Sequence, residues 1–404
     1  MARTRFELEP FIADPFGSLR AARAAGPVVD LALGGTGIMS YECMRELLTD
    51  ERLRANFPDF LRTLGVTSGP FFDWMVISSL NRDGKDHQRF RTLMSRTFTP
   101  RSVERLRPFL RTAAHDLIDA FSARGACEFM AEFADAYPSL GLCELIGVPK
   151  DDRDRFRGWA NTVGLGFSPL VTQHITRVDE ALTQLLAYAG ELAERRRAEP
   201  RDDLVTRIAQ AADEDGGFSA FEVQGFIAAL VFAGHETTKN QLGWMVAVLA
   251  AQPGVWDAVA DGSLTVAEVV EECLRYRSAV TGVGRTAIEP VMVRGERLET
   301  DETLFLSVWA ANHDEGVYPR PESFDPIGNA DPPHLAFGHG PHYCLGAALA
   351  RAELQEALSA LTLRLGSPTV GAEAEWKPPL GINGPERLPI TFTLRTGREA
   401  VPGG

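Results

Sequence analysis

From Val103 to about Arg197 apolar residues return every three to four positions, as at Leu106, Phe109, Leu110, Ala113, Leu117 and Phe121, so that stretch is predicted to be mostly helical. The pattern loosens between Trp159 and Thr176 around Gly164, Gly166 and Pro169, which predicts a break between two helices. A second helix is predicted from Ala220 to beyond Leu249; it is apolar nearly all round up to Ala233 and hence buried. Shorter helices are predicted at Pro15–Ala25, Arg45–Leu53, Asp83 to about Thr97 and Val266–Tyr276. Val28 to Leu33 and Ile38 to Tyr41, flanking Gly34-Gly35-Thr36-Gly37, read as a hairpin. Strand-like patterning returns from Ser278 to Asn312 and again after the last helix, so the β-rich parts are expected at about 27–42, 278–312 and 365–396 of a single domain spanning 1–404. Asn56 to Leu80, rich in Phe57, Phe60, Phe71, Phe72, Trp74 and Met75, has no clear period and reads as a long irregular loop.

Three stretches break the pattern with chemistry. Phe337-Gly338-His339-Gly340-Pro341-His342-Tyr343-Cys344-Leu345-Gly346 packs glycines round one cysteine directly before a strong helix former, Ala347 to Leu354. At a helix N-terminus, unpaired N–H groups and the dipole favour a thiolate, and the glycines leave room for something flat. A zinc site from His339, His342 and Cys344 lacks a paired second arm. Within the buried helix, Ala233-Gly234-His235-Glu236-Thr237-Thr238 places an acid and two hydroxyls after an apolar run, where polar groups are costly unless used or satisfied. His87 and Arg91, four apart, share one helix face.

Together these stretches resemble the cytochrome P-450 family. The cysteine loop fills every fixed position of the family's Phe-Gly-x-Gly-x-His/Arg-x-Cys-x-Gly pattern, the buried helix matches its oxygen-activating element, and Glu272-Cys273-Leu274-Arg275 matches its Glu-x-x-Arg core. The resemblance implies a mainly α fold with a small β-rich lobe, a triangular prism with haem between the oxygen-activating helix and the cysteine-loop helix. It implies haem b with Cys344 as axial ligand, His87, Arg91, Arg285 and His334 at the propionates, and Phe337, Gly338, His342, Gly346 and Ala233 against the cofactor. Glu236 and Thr237 become the acid and alcohol that serve dioxygen, Glu272 and Arg275 a structural lock. Phe72, Phe226, Ala229, Leu230, Thr281, Val283 and Asn383 become pocket residues. The aromatic loop and the helix break would form a mobile roof. Family members usually complete the lock with an arginine after the Phe-Asp step; none lies between Arg320 and Arg351, so Asn329 or Arg320 is the expected replacement.

Composition limits the alternatives. The 404 residues are 45% hydrophobic, enough for a sizeable core, and carry a formal charge of −14 with no Lys/Arg-rich run, which argues against a nucleic-acid partner. Five scattered cysteines do not form a disulfide framework, and the charged N-terminus and absence of a long apolar run point to a soluble, cytoplasmic protein away from membranes, expected to be a monomer. The implied reaction is insertion of one atom of dioxygen into a small, largely apolar organic substrate, with NAD(P)H electrons delivered by a ferredoxin and its reductase, or a flavodoxin. Arg89, Arg96 and Arg351 are the expected docking cations. A peroxide-using haem-thiolate enzyme would not need the Glu236-Thr237 pair, and a haem sensor has little use for it.

Overall fold

The apolar run before Gly234 lies in a 31-residue helix, Ala220–Ala250, about which the other helices are arranged. The computed structural model describes residues 3–32, 34–215 and 217–395, so Leu33 and Thr396, at the ends of two predicted β segments, lie outside the described residues. The central helix begins at a capping box: the Ser219 hydroxyl accepts the Glu222 N–H, and the Glu222 carboxylate accepts the Ser219 N–H. Because it is apolar nearly all round up to Ala233, most of it is buried, against Ala136–Ile146, Arg153–Gly164 and Val171–Ala198. The helix that follows the cysteine loop, Ala347–Arg364, packs mainly on Pro100–Ser122 and touches the central helix on its other side.

The β-rich lobe is a six-stranded sheet in the order Arg5–Phe6, Val28–Leu31, Thr36–Ile38, Thr303–Ser307, Gly282–Ala287, Leu53–Ala55. The predicted hairpin is its second and third strands, with Val28 opposite Ile38 and Asp30 opposite Thr36. A three-stranded sheet joins Thr369–Val370 and Pro389–Thr391 to Ala126–Glu128. Among the described residues, no single helix is long and apolar enough to cross a membrane.

Three predicted elements differ from the structure, each for a visible reason. The Arg45–Leu53 helix is instead Tyr41–Leu47, started by the Ser40 hydroxyl, and Leu53 opens a strand because Asp50 turns the chain by accepting the Arg52 N–H at 3.0 Å. The supposed irregular loop holds two short helices, Phe57–Thr63 and Pro70–Ile77, each with a proline in its first turn. The second of them carries no amphipathic period because tertiary contacts bury it on several sides: Phe71, Trp74 and Met75 are fully buried, and the Trp74 indole donates to the Gly225 carbonyl of the central helix at 2.8 Å, whereas Phe60 of the first is exposed. Third, the strand-like stretch ends early, since Val308–Asn312 is a helical turn capped by Ser307.

The expected break between helices falls at 165–170, where a 3₁₀ turn, Leu165–Phe167, precedes the helix at Val171. Phe167 stacks on Phe232 of the central helix with centroids 3.8 Å apart and on Phe57 at 4.9 Å, and meets Phe71 edge-on. Gly166 is required here, since a Cβ would come within 2.4 Å of the Phe71 ring. The break and the aromatic segment therefore meet over the central helix.

Candidate active site

A cavity of about 380 Å³ opens between the central helix and the cysteine loop. Phe226, Ala229, Leu230, Ala233 and Thr237 form one wall, spaced three or four apart along one helix face; Phe337, Gly338, His342, Cys344 and Gly346 form the other. His87, Arg91, Val283 and Arg285 close an edge. Gly338 and Gly340 take left-handed backbone at φ 72° and 70°, which turns the loop so that the Cys344 N–H donates to the Phe337 carbonyl at 2.9 Å.

Burial pushes the Cys344 thiol above its ordinary value, while the Gly346 N–H, Arg91 and Arg351 pull the other way. The helix N-terminus favours a thiolate but does not by itself offset this burial. A metal cation opposite the sulfur would, because coordination deprotonates a thiol outright.

The edge of the cavity is short of negative charge. Arg285 is 8% exposed and donates only to its neighbour's carbonyl, Gly284, among the described residues; burial lowers its pKa, as it does that of Arg91. The nearest acid, Asp83, is already taken by His342 at 2.8 Å and by the Ala55 N–H at 2.9 Å. One half-buried and one buried guanidinium, Arg91 and Arg285, facing a cavity with no carboxylate of their own among the described residues are a site for a ligand with two anionic groups. Burial, then His342 and Arg91, lower the pKa of His87 to about 4, which favours a neutral ring, stacked on His342 at 4.0 Å. An apolar slot with a sulfur on one wall and unpaired arginines at its rim fits a haem whose propionates meet Arg91 and Arg285.

Five expected site residues are not among the cavity walls. His334 binds Glu271 at 3.2 Å and accepts the Ala336 N–H, because Glu271 also holds Arg351 through two hydrogen bonds and draws the imidazole to the outside of Phe337. Phe72 is buried under the Arg62 guanidinium, Thr281 donates its hydroxyl to the Gly381 carbonyl, and Asn383 spends its amide on the carbonyls of Lys377 and Pro378. Glu236 is not in the cavity lining: from the flank of the central helix next to the face of Ala233 and Thr237, its carboxylate turns to Lys377.

The surroundings of Glu236 were not legible in the sequence. Its carboxylate meets Lys377 at 2.7 Å, Lys239 at 3.2 Å and the Asn240 amide at 2.9 Å. Burial would raise its pKa, but Lys239 and Lys377 outweigh burial and bring it down to about 2. Lys239 also reaches Asp135 at 3.4 Å and Asn161 at 2.7 Å, and Asn161 faces His235 at 3.0 Å. The folded pKa is depressed, so this carboxylate's contribution to stability is complete above its ordinary value and is lost as pH falls toward about 2. Replacing Glu236 by Gln should make the fall in thermal melting temperature between about pH 4.5 and 2 shallower and lower the melting temperature at neutral pH. Thr237 donates its hydroxyl to the Ala233 carbonyl one turn back at 2.6 Å, which leaves its lone pairs facing the cavity.

Behind the cysteine loop, Glu272 and Arg275 are 3% and 1% exposed and joined by two hydrogen bonds of 2.6 and 2.8 Å. Arg275 also donates to the carbonyls of Asn312, Pro321 and Ser323. The third partner is Asn329, whose amide donates to Glu272 at 3.2 Å and to the carbonyls of Arg320 and Ser323; Arg320 itself pairs with Asp325. Of the two expected replacements for the family's arginine, Asn329 is the one that meets Glu272, and with this neutral amide the lock carries no net charge.

The profile of the cytochrome P450 family matches residues 163–365. The chain is 34% identical over 357 residues to luteothin monooxygenase of Streptomyces thioluteus, covering 88% of this chain and 87% of that protein. It is 36% identical over 321 residues to mycinamicin IV hydroxylase/epoxidase of Micromonospora griseorubida, 78% and 79% of the two chains. Among solved structures, P450BioI in complex with a hexadec-9Z-enoic acid-ligated acyl carrier protein superposes with a TM-score of 0.87 at 28% identity, covering 95% of this chain and 99% of that one. The chain belongs to the cytochrome P450 family and is a haem-dependent monooxygenase of the bacterial type.

Proposed function

We propose that the enzyme hydroxylates or epoxidises a small, largely apolar organic molecule of secondary metabolism, held over Ala233 and Thr237. What supports this most is the cavity itself: Phe226, Ala229, Leu230 and Ala233 present hydrocarbon on the wall facing Cys344, Val283 adds to it at the edge, and Thr237 is the hydroxyl of that wall. The names of its relatives, a monooxygenase and a hydroxylase/epoxidase, favour the same two reactions. We read residues 1–404 as one domain, which the continuous core through the helical part supports.

A haem bound through Cys344 supplies dioxygen binding and the reductive cleavage of its O–O bond, with the thiolate pushing electron density toward the iron. The protein's part is to position and to move protons. Arg91 and Arg285 anchor the propionates, His87 and His342 pack beside them, and the apolar wall excludes bulk water. Thr237 holds a proton-carrying water on the cavity side through its free lone pairs. Glu236, linked to the outside through the half-buried Lys377, sets the charge on the adjoining flank of the same helix turn.

Replacing Thr237 by Val keeps the shape and removes the hydroxyl. Product formation should fall by about tenfold or more while dioxygen uptake persists and the difference appears as hydrogen peroxide. Equal product per dioxygen in the variant and the parent would refute the role of Thr237. Dioxygen uptake coupled to product, with no product from added peroxide alone, distinguishes the monooxygenase from a peroxide-driven enzyme or a sensor. Titrating candidate ligands against the spin-state change of the ferric haem identifies the substrate class.

Electrons are taken to come from a ferredoxin and its reductase, or a flavodoxin, at the Cys344 face. The cations expected there are already engaged: Arg351 by Glu271, and Arg89 by Glu222 and the Gly217 carbonyl, while the side chain of Arg96 lies outside the described residues. Tyr343, next to Cys344 and 39% exposed, is the contact this face offers instead.

A further inference from the structure

Helix Pro70–Ile77 starts at a residue that cannot cap it. Gly69 has no side chain to accept an N–H, so the first turn depends on another part of the chain. Asp179, half-buried on the helix Val171–Ala198, supplies the acceptor: its Oδ1 takes the Phe71 N–H at 2.8 Å, an amide that an N-cap side chain would otherwise hold. The glycine is needed for this approach. Its φ is 108°, and a Cβ there would stand 2.9 Å from the Asp179 Oδ2. A cap within one element would only stabilise the helix; a cap borrowed from another element also fixes where the helix lies.

Phe71 is gripped from a second side. Its ring lies where Gly166 leaves room and meets Phe167 edge-on, so the break at 165–170 and the helix after it both close on this one residue. Beyond it the segment is braced within itself, since the Asn81 amide donates to the Met75 carbonyl at 3.1 Å and its oxygen accepts the Phe57 N–H at 3.2 Å. Ser79 and Leu80, just past the helix, line the cavity. The position of the helix therefore sets the position of that part of the wall.

The hold is a costly one for the carboxylate. Burial raises the Asp179 pKa, the Phe71 N–H pulls it back only in part, and Asp73 adds to the rise. Lifting the helix away returns water to the carboxylate, which brings the open arrangement nearer in free energy to the closed one.

We propose that Asp179 is the positioning residue that closes helix Pro70–Ile77 over the cavity, and that molecules reach the cavity on this side when the Phe71 N–H leaves its carboxylate. This rests on the cavity's being the place where substrate is held, as in the monooxygenase reading.

The test uses the haem-loaded enzyme, its Asp179→Ala and Asp179→Asn variants, and 4-phenylimidazole, a haem ligand that must enter the cavity to bind. Asp179→Ala should speed both its binding and its release about tenfold, as expected for the loss of one cap in the closed arrangement, and leave its affinity nearly unchanged. Amide hydrogen exchange across 70–77 should quicken with it while 266–276 exchanges as in the parent. Asp179→Asn keeps an oxygen acceptor and should stay close to the parent in both measurements, and the reduced, carbon-monoxide-bound spectrum should be the same in all three. Parent-like binding and release in Asp179→Ala, with or without faster exchange at 70–77, overturns the proposal, because Asp179 then does no more than cap a helix. An Asp179→Asn enzyme as fast as Asp179→Ala overturns it too. A parent enzyme that consumes dioxygen without product overturns the monooxygenase reading instead, and the 4-phenylimidazole rates stand apart from it.

Discussion

Cys344→Ala should give a folded protein that has lost dioxygen-dependent product formation to background. Cys344 is not core packing: its sulfur faces the cavity, and the loop that carries it is held by backbone groups, the Cys344 N–H on the Phe337 carbonyl and the Tyr343 N–H on the Gly340 carbonyl. Removing one sulfur atom therefore costs little in stability, and the melting temperature of the haem-free protein should stay close to the parent's. The chemistry, by contrast, has no second ligand to fall back on, since among the described residues no group of three or more His, Cys, Asp or Glu is placed to hold a metal. His339 and His342 flank the loop, but His342 is bound to Asp83 and stacked on His87. The measurement is the absorbance of the reduced, carbon-monoxide-bound form. The parent should show the red-shifted Soret band of a thiolate-ligated haem, and the variant should lack it. A variant with the parent's band would remove Cys344 from the axial position.

How far the site was legible in the sequence depended on whether its residues act through local geometry or through distant partners. Cys344, Thr237, Arg91 and Arg285 are placed by short patterns, a glycine-bounded loop, a polar step in an apolar helix, a helix face and a strand, and all four come to the cavity. Residues whose neighbours are far along the chain were less legible. Glu236 was expected as the acid that leads from the oxygen side toward solvent, and nothing near it in sequence shows that Lys377, 141 residues away, holds it beside the cavity lining. His334 was expected at a propionate, yet Glu271, 63 residues before it, holds it outside Phe337. The aromatic stretch 56–80 shows the same limit for the fold: burial on several sides erases the period that marks a helix in sequence.

Arg275→Ala should be the most damaging single change to folding and should prevent stable haem loading. The guanidinium gives its hydrogen bonds to both Glu272 oxygens and to the carbonyls of Asn312, Pro321 and Ser323, and thereby fastens the helix Val266–Tyr276 to the chain that leads into the cysteine loop. Removing it leaves Glu272 buried with only the Asp325 N–H and the Asn329 amide, and leaves three carbonyls short of a donor. Breaking one side of a buried ion pair costs about 3–5 kcal/mol, a large share of the roughly 5–15 kcal/mol by which a domain is stable. Arg275→Lys should recover little, because an ammonium cannot span the two carboxylate oxygens and the carbonyls at once. The neutral third partner adds a specific expectation. With an arginine there, a second cation would remain to compensate Glu272 after the loss of Arg275. With Asn329 none does, so Glu272→Gln made together with Arg275→Ala should regain part of the lost stability by removing the stranded charge. Chemical denaturation of the three proteins, with haem content measured on each, decides it: a double variant no more stable than Arg275→Ala alone would mean that the stranded carboxylate is not the source of the damage.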